Sequence, residues 1–327
     1  MTTGRWTLPA VIIVCTLCWL LSYFLFPHLR LTSDNGANTL FEQFTLAFPM
    51  PVWAEHVTSY LIYAIIGYFL IELNNRFAII RMRASVQTAI YFLFVTVCPR
   101  MHLLYAGDIA SLAFLISLYF LFSSYQQSHP SGALFHSFFF IGTGSLFFPQ
   151  LTFLSVLWMI GAYRFQSLNL RSFCAALIGW TLPYWFLLGY TFLYGQIELF
   201  YQAFHSLAAF GKAFDLNSLH SWEFAILGYL FVLFAASTGH CITAGFEDKI
   251  RTRAYLQFLI DLTGFLFLAI ALQPNYYDEL LPILMISTSI LTGHFFVLTN
   301  SKASNIFFIV SIVGLILLFA YNIWTLL

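Results

Sequence analysis

Apolar residues run along this chain in long blocks broken by short polar punctuation. Eleven blocks approach or reach spanning length, near 8–26, 57–72, 84–98, 109–122, 133–148, 151–163, 172–194, 222–240, 255–272, 280–298 and 304–325. A helix needs about 20 apolar residues to cross a hydrocarbon layer of about 30 Å. Inside that layer every backbone N–H and C=O must be bonded, which only helices and closed barrels achieve. Long blocks without strict alternation predict helices. The expected fold class is therefore all-α, a polytopic transmembrane helix bundle of about 11 spans (10–11) forming a single integral membrane domain over residues 1–327. The blocks at 109–122, 133–148 and 151–163 are short for a full crossing. Only Phe148, Pro149 and Gln150 separate the last two, which predicts either a tight hairpin or two full crossings. Gly142, Gly144 and Ser145 in this region permit close helix approach.

The polar punctuation sets an orientation. Lys and Arg favour the cytoplasmic side. With the N-terminus inside, that side receives Arg5, Arg76, Arg81, Arg83, Arg164, Arg171, Lys249, Arg251, Arg253 and Lys302, ten of the thirteen basic residues. The opposite side receives Arg30, Arg100 and Lys212. The first block is too long for a cleaved leader, whose apolar core is about 7–15 residues, and reads as a retained helix. Two segments outside the blocks are amphipathic. In "NTLFEQFTLAF", Thr39 and Glu42 form a T-x-x-E capping box, with Leu40, Phe41, Phe44 and Phe48 on one side. In "GQIELFYQAFHSLAAFGKAF", Ile197, Phe200, Tyr201, Phe204 and Leu207 recur at helical spacing. Both read as interfacial helices in the headgroup plane of the outside face.

Composition agrees and excludes several classes. The chain is 61% hydrophobic and 8% charged, whereas soluble domains carry about 25% charged residues. The net charge is zero, so there is no basic footprint for nucleic acid. Among the five cysteines, Cys15 and Cys18 form a C-x-x-C inside the first apolar block, without the further ligands a zinc centre needs. No metal site and no cofactor are expected from spacing, although the role of a divalent metal stays open. Nucleotide-binding glycine loops, H-E-x-x-H and G-x-S-x-G are all absent.

The candidate chemistry lies in two places. On the outside face, Asp34 follows the first block, and Asp108 opens the fourth. These are the candidate catalytic carboxylates, although each also suits a turn or a helix cap. Arg30, Arg100, His102 and Lys212 on the same face are candidate ligands for a lipid phosphate, which guanidinium and ammonium groups bind well. Glu42 has its capping box, and Glu55 and His56 precede the second block. The second place is a polar cluster within the blocks, His240, Asp261 and His294, near the cytoplasmic ends of three successive helices. Ionisable groups at such depth mark ion paths or buried ion pairs.

The stretches "NNRFAIIRMRASVQTAIYFLFVTVCPRMHLLYAGDIASLAF" and "GSLFFPQLTFLSVLWMIGAYRFQSLNLRSF" resemble an uncharacterised family of polytopic bacterial membrane proteins of similar length. The resemblance covers roughly residues 70–195 and implies a multi-pass protein of the bacterial inner membrane, within the cell envelope. The layout also resembles, more distantly, the GT-C fold of polyprenyl-phosphate-dependent glycosyltransferases. That fold places an acid soon after its first helix, where Asp34 stands, and another before its fourth, where Asp108 stands. Asp34 is followed by Asn35 rather than by a second acid. The resemblance implies transfer of a lipid-linked sugar at the outer face, with Asp34 as general base and a polyprenyl phosphate as lipid partner. The rival readings are a transporter or flippase, centred on His240, Asp261 and His294, and a non-catalytic membrane scaffold.

Overall fold

A computed structural model describes residues 7–26, 40–47, 49–80, 85–208, 210–215, 219–245, 248–299 and 301–326. In chain order the helices are α1 (Thr7–Leu25), α2 (Leu40–Ala47), α3 (Val52–Phe77), α4 (Ser85–Thr96), α5 (Ala106–Ser123), α6 (Ser131–Phe147) and α7 (Leu154–Arg164). They continue with α8 (Leu170–Leu193), α9 (Glu198–Leu207), α10 (Ser221–Ala244), α11 (Ile250–Leu272), α12 (Tyr277–Leu298) and α13 (Lys302–Leu326). No strand occurs among the described residues. Each of the eleven apolar blocks forms a helix, and α2 and α9 lie in the two amphipathic segments. Among the described residues, eight helices are long and apolar enough to cross a membrane. The block at 109–122 gains its full length as α5, whereas the one at 84–98 shortens to the 12 residues of α4. α6 and α7, of 17 and 11 residues, also fall short of a full span.

Packing divides the chain into two compact units. The first comprises Met1–Leu31, Val52–Leu104 and Phe214–Leu327, and the second Thr32–Pro51 and Tyr105–Ala213.

In the first unit α12 packs against α4, α10 and α11, while α4 packs against α1 and α3. α12 is buried along most of its length, from Tyr277 to His294. The outer helices instead expose apolar side chains, such as Ile306, Ile309, Val313 and Ile316 on α13. Exposed aliphatic surface on this scale suits contact with lipid and not water. Gly293 brings α12 onto α4, since a Cβ there would stand 2.8 Å from Gln87 Cβ. The Gln87 amide donates to the Leu70 carbonyl of α3 and so satisfies part of its own buried polarity. Asn74 clamps the turn between α3 and α4, accepting from Ile80 N–H at 2.7 Å and donating to its carbonyl at 3.3 Å. Tyr229 ties α10 to α13 through Ser311 Oγ at 2.7 Å.

In the second unit α6 packs between α5 and α8. Small residues permit the close approach: a Cβ on Gly142 would stand 2.5 Å from the Trp180 carbonyl oxygen, and one on Gly179 would overlap Phe135. Hydroxyls cross-link the buried faces. Ser117 and Ser137 each donate to the other's carbonyl, at 2.7 and 2.9 Å, and Trp158 Nε1 donates to Ser117 Oγ at 2.7 Å. Gly142→Leu is therefore expected to destabilise this unit by about 1–3 kcal/mol, the usual cost of overpacking. A melting temperature in detergent equal to that of the wild type would show that α6 and α8 tolerate separation. α7 spans about 16 Å at 1.5 Å per residue. The 3₁₀ turn Pro149–Phe153 before it adds about 10 Å at 2 Å per residue. Together they return the chain to the end where α5 finishes, as Gln126 N–H donates to the Phe165 carbonyl there at 3.0 Å. The Phe148–Gln150 break is thus a reversal followed by a full return through the unit.

Candidate functional site

The first unit gathers ionisable side chains at both ends of the α10 and α12 pair. At one end α4 stops at Thr96, and the Val97 carbonyl accepts from Asn322 Nδ2 of α13 at 2.6 Å. Pro99 then opens the 3₁₀ turn Pro99–His102, a position where its missing N–H costs nothing. Arg100 and His102 lie two residues apart on a turn of about three residues per cycle, so their side chains leave in different directions.

Arg100 reaches α10. Its Nη1 stands 4.0 Å from Glu223 Oε1, and its guanidinium carbon lies 4.7 Å above the Trp222 ring. Glu223 also caps α10, accepting from His220 N–H at 2.7 Å through its other oxygen. The first turn of α12 adds Asp278 and Glu279. Asp278 is in electrostatic reach of Arg100 and His220, and Glu279 of Asp278. Glu279 Oε2 and the Tyr277 hydroxyl are buried without a hydrogen-bond partner among the described residues. Two of these carboxylates, Glu223 and Asp278, thus feel the Arg100 guanidinium, and Glu279 lies beside Asp278. Their seat on the first turns of two helices lets the backbone dipoles offset part of the excess negative charge. Such a group can accept a proton or hold a small cation. Arg100 meets Glu223 here rather than standing alone for a phosphate.

His102 points the other way. It is fully buried and stacks on Trp19 of α1 with ring centroids 4.0 Å apart. Burial pushes its imidazole down to about 3; the nearby His56 adds to this, and the Val95 and Thr96 backbone opposes it. A neutral imidazole brings no charge to a phosphate.

At the other end, α10 finishes with His240 and Cys241, and α12 with His294. Cys241 Sγ lies 3.9 Å from His294 Nδ1, and Asp248 Oδ2 lies 3.1 Å from His294 Nε2. The His240 and His294 rings are 6.0 Å apart. One donor atom from each of His240, Cys241 and His294 falls within 4.8 Å of the others. The two histidines singled out in the sequence therefore meet. Asp261 sits near the midpoint of α11, which begins at Ile250 rather than near 255. The carboxylate against His294 comes from Asp248, in the short connection after α10.

The other sequence candidates divide between the units. Asp108 is the third residue of α5, fully buried, and its Oδ2 accepts from Tyr105 N–H at 3.4 Å as the return half of a capping box. Lys212 is exposed in the second unit, past α9. Asp34, Arg30 and Thr39 lie outside the described residues, as does the side chain of Glu42.

Sequence reasoning passed over Glu223, Asp278, Glu279, Cys241 and Asp248. Placing α12 three residues late left Asp278 and Glu279 in a loop, whereas Glu223 lay inside its apolar block and was not singled out. No family model, no curated protein and no solved structure matches the chain.

Proposed function

We propose that this chain is a multi-pass membrane transport protein coupled to protons or small cations. One observation carries the reading: the same two neighbouring helices, α10 and α12, bear a carboxylate cluster at one end and a histidine cluster at the other. Ionisable residues within spans are costly and mark ion pathways by default. Between the clusters, the buried hydroxyls of Ser237, Thr288 and Thr292 have no hydrogen-bond partner among the described residues. They offer polar stepping points on the histidine side. Leu281, Leu284 and Met285 fill the carboxylate side and close the path in this conformation. The orientation that puts ten of thirteen basic residues inside would turn Glu223, Asp278 and Glu279 outward from a bacterial inner membrane. It would also lay α2 and α9 along the outer headgroups.

Proteoliposomes holding a pH-sensitive dye, given a step in external pH or Na⁺, test this. Wild-type protein should pass protons, and a variant carrying both Asp278→Asn and Glu279→Gln should lose at least about tenfold of that flux, as expected when the groups that carry the charge are removed. Equal flux in both proteins, or none above empty vesicles in the wild type, would end the transport reading.

A second reading, glycosyl transfer from a polyprenyl-phosphate sugar, draws on a groove in the second unit lined by Leu40, Gln43, Leu146, Pro149, Leu199, Ala203 and Ser206. Its mostly apolar wall is closed in this structure and would have to part to admit an isoprenoid chain, with Lys212 in the same unit and Asp34 as base. Mass spectrometry of lipids co-purified with the wild type and with Lys212→Ala decides it. A polyprenyl phosphate retained only by the wild type supports transfer, and identical bulk phospholipids in both remove it.

A further inference from the structure

We propose that His240, Cys241 and His294 form a binding site for a borderline-soft divalent metal, Zn²⁺, with Asp248 as the partner that orients His294. The donor set is the first reason. Two imidazoles and a thiol select zinc-like metals, whereas Mg²⁺ and Ca²⁺ require shells of oxygen. Distance is the second. Zinc binds nitrogen at about 2.0–2.1 Å and sulfur at about 2.3 Å, so tetrahedral donors stand about 3.5 Å apart. Here Cys241 Sγ and His294 Nδ1 are already 3.9 Å apart, and all three donors lie within 4.8 Å. Small side-chain rotations close the remainder. The third reason is the tautomer. A metal-binding histidine characteristically donates its other N–H to a carboxylate, which fixes the ring and raises its basicity. His294 is close to this arrangement: Nδ1 is turned to Cys241, and Nε2 stands 3.1 Å from Asp248 Oδ2, so that a small ring rotation aligns the donation.

Consecutive residues on a helix diverge by about 100° at 3.6 residues per turn. His240 and Cys241 nevertheless bring a donor atom within 4.8 Å of each other near the end of α10, where the longer imidazole reaches around. Three protein donors leave one tetrahedral position open, the pattern of zinc sites that pass a ligand in and out rather than brace a fold. The site shares residues with the transport reading but stands without it, because binding is an equilibrium property. Protein that binds the metal and moves no protons keeps the site and loses only that reading.

The test uses the full chain in detergent and Co²⁺ as a spectroscopic stand-in. The wild type should bind one Co²⁺ with the visible bands of a tetrahedral ion and a thiolate charge-transfer band, both abolished by Zn²⁺. Cys241→Ser should remove the charge-transfer band. Asp248→Asn should weaken binding by about 10–100-fold, the usual cost of losing such a partner. A second measurement needs no variant: Zn²⁺ should protect Cys241 from alkylation in the wild type, read peptide by peptide, while the exposed Cys174 reacts as before. A missing charge-transfer band, a band unchanged in Cys241→Ser, or Cys241 alkylated equally with and without Zn²⁺ would overturn the site.

Discussion

Arg100→Met is expected to destabilise the first unit by about 3 kcal/mol, the lower end of the range for removing one partner of a buried ion pair. The lower end applies because Arg100 keeps 27% of its side-chain surface, so water shares its charge. The cause is electrostatic and local. Glu223 and Asp278 meet at the starts of α10 and α12, with Glu279 beside Asp278, and Arg100 brings its guanidinium to the first two. Methionine keeps much of the side chain's bulk and its contact with Trp222 while removing the charge. Adding Glu223→Gln to Arg100→Met should return more than half of the lost stability, because the neutral amide no longer requires a counter-charge. Melting curves of the four proteins in detergent give the coupling directly. Purely additive losses would show that Arg100 acts through packing against Trp222 and not through the carboxylates.

The second large effect is a pH dependence owed to His102. Its folded imidazole titrates near 3 against an ordinary value of 6.5. Below pH 6.5 the unfolded chain therefore takes up a proton that the folded chain refuses. By linkage, stability falls as pH drops through that window, by at most about 1.4 kcal/mol per pH unit. Above pH 6.5 the imidazole is neutral in both states and contributes no slope. His102→Phe preserves a flat ring against Trp19 and cannot titrate. Its melting temperature should match the wild type at neutral pH and fall less steeply between about pH 6 and pH 4. Parallel acid flanks in the two proteins would show that His102 is not the group responsible.

Much of the fold was legible in the sequence, because lipid imposes one rule on every residue of a span. The eleven apolar blocks became helices, and Gly142 with Ser145 marked where α6 would be approached closely. The ends of the helices were less legible. α12 begins at Tyr277, and its polar first turn, Asp278 and Glu279, looked like loop because apolarity was the signal for helix. α4 shows the converse: its block continues through Val97 and Cys98, but Pro99 and the 3₁₀ turn stop the helix at Thr96. The clusters were half legible. His240 and His294 stood out as polar residues inside apolar blocks, and the structure brings them together. Asp248 and Cys241 did not, since a cluster drawn from positions 240, 241, 248 and 294 has no local spacing to reveal it. Asp108 shows how one residue supports two readings, since an acid at a helix start serves as a cap or as a base.

The burial of α12 has a consequence for how the chain is made. The last third of the sequence supplies the centre of the first unit, while α1, α3 and α4, which it joins, are synthesised at the beginning. Residues 105–213, most of the second unit, emerge in between. Until α12 arrives, the α4 face around Gln87 that receives Gly293 has no permanent neighbour. Closing so long a loop is slow compared with pairing adjacent helices. Biogenesis of the first unit is therefore expected to wait for the carboxyl-terminal helices, and a ribosome stalled before residue 277 should hold early helices that a membrane chaperone or protease can still engage.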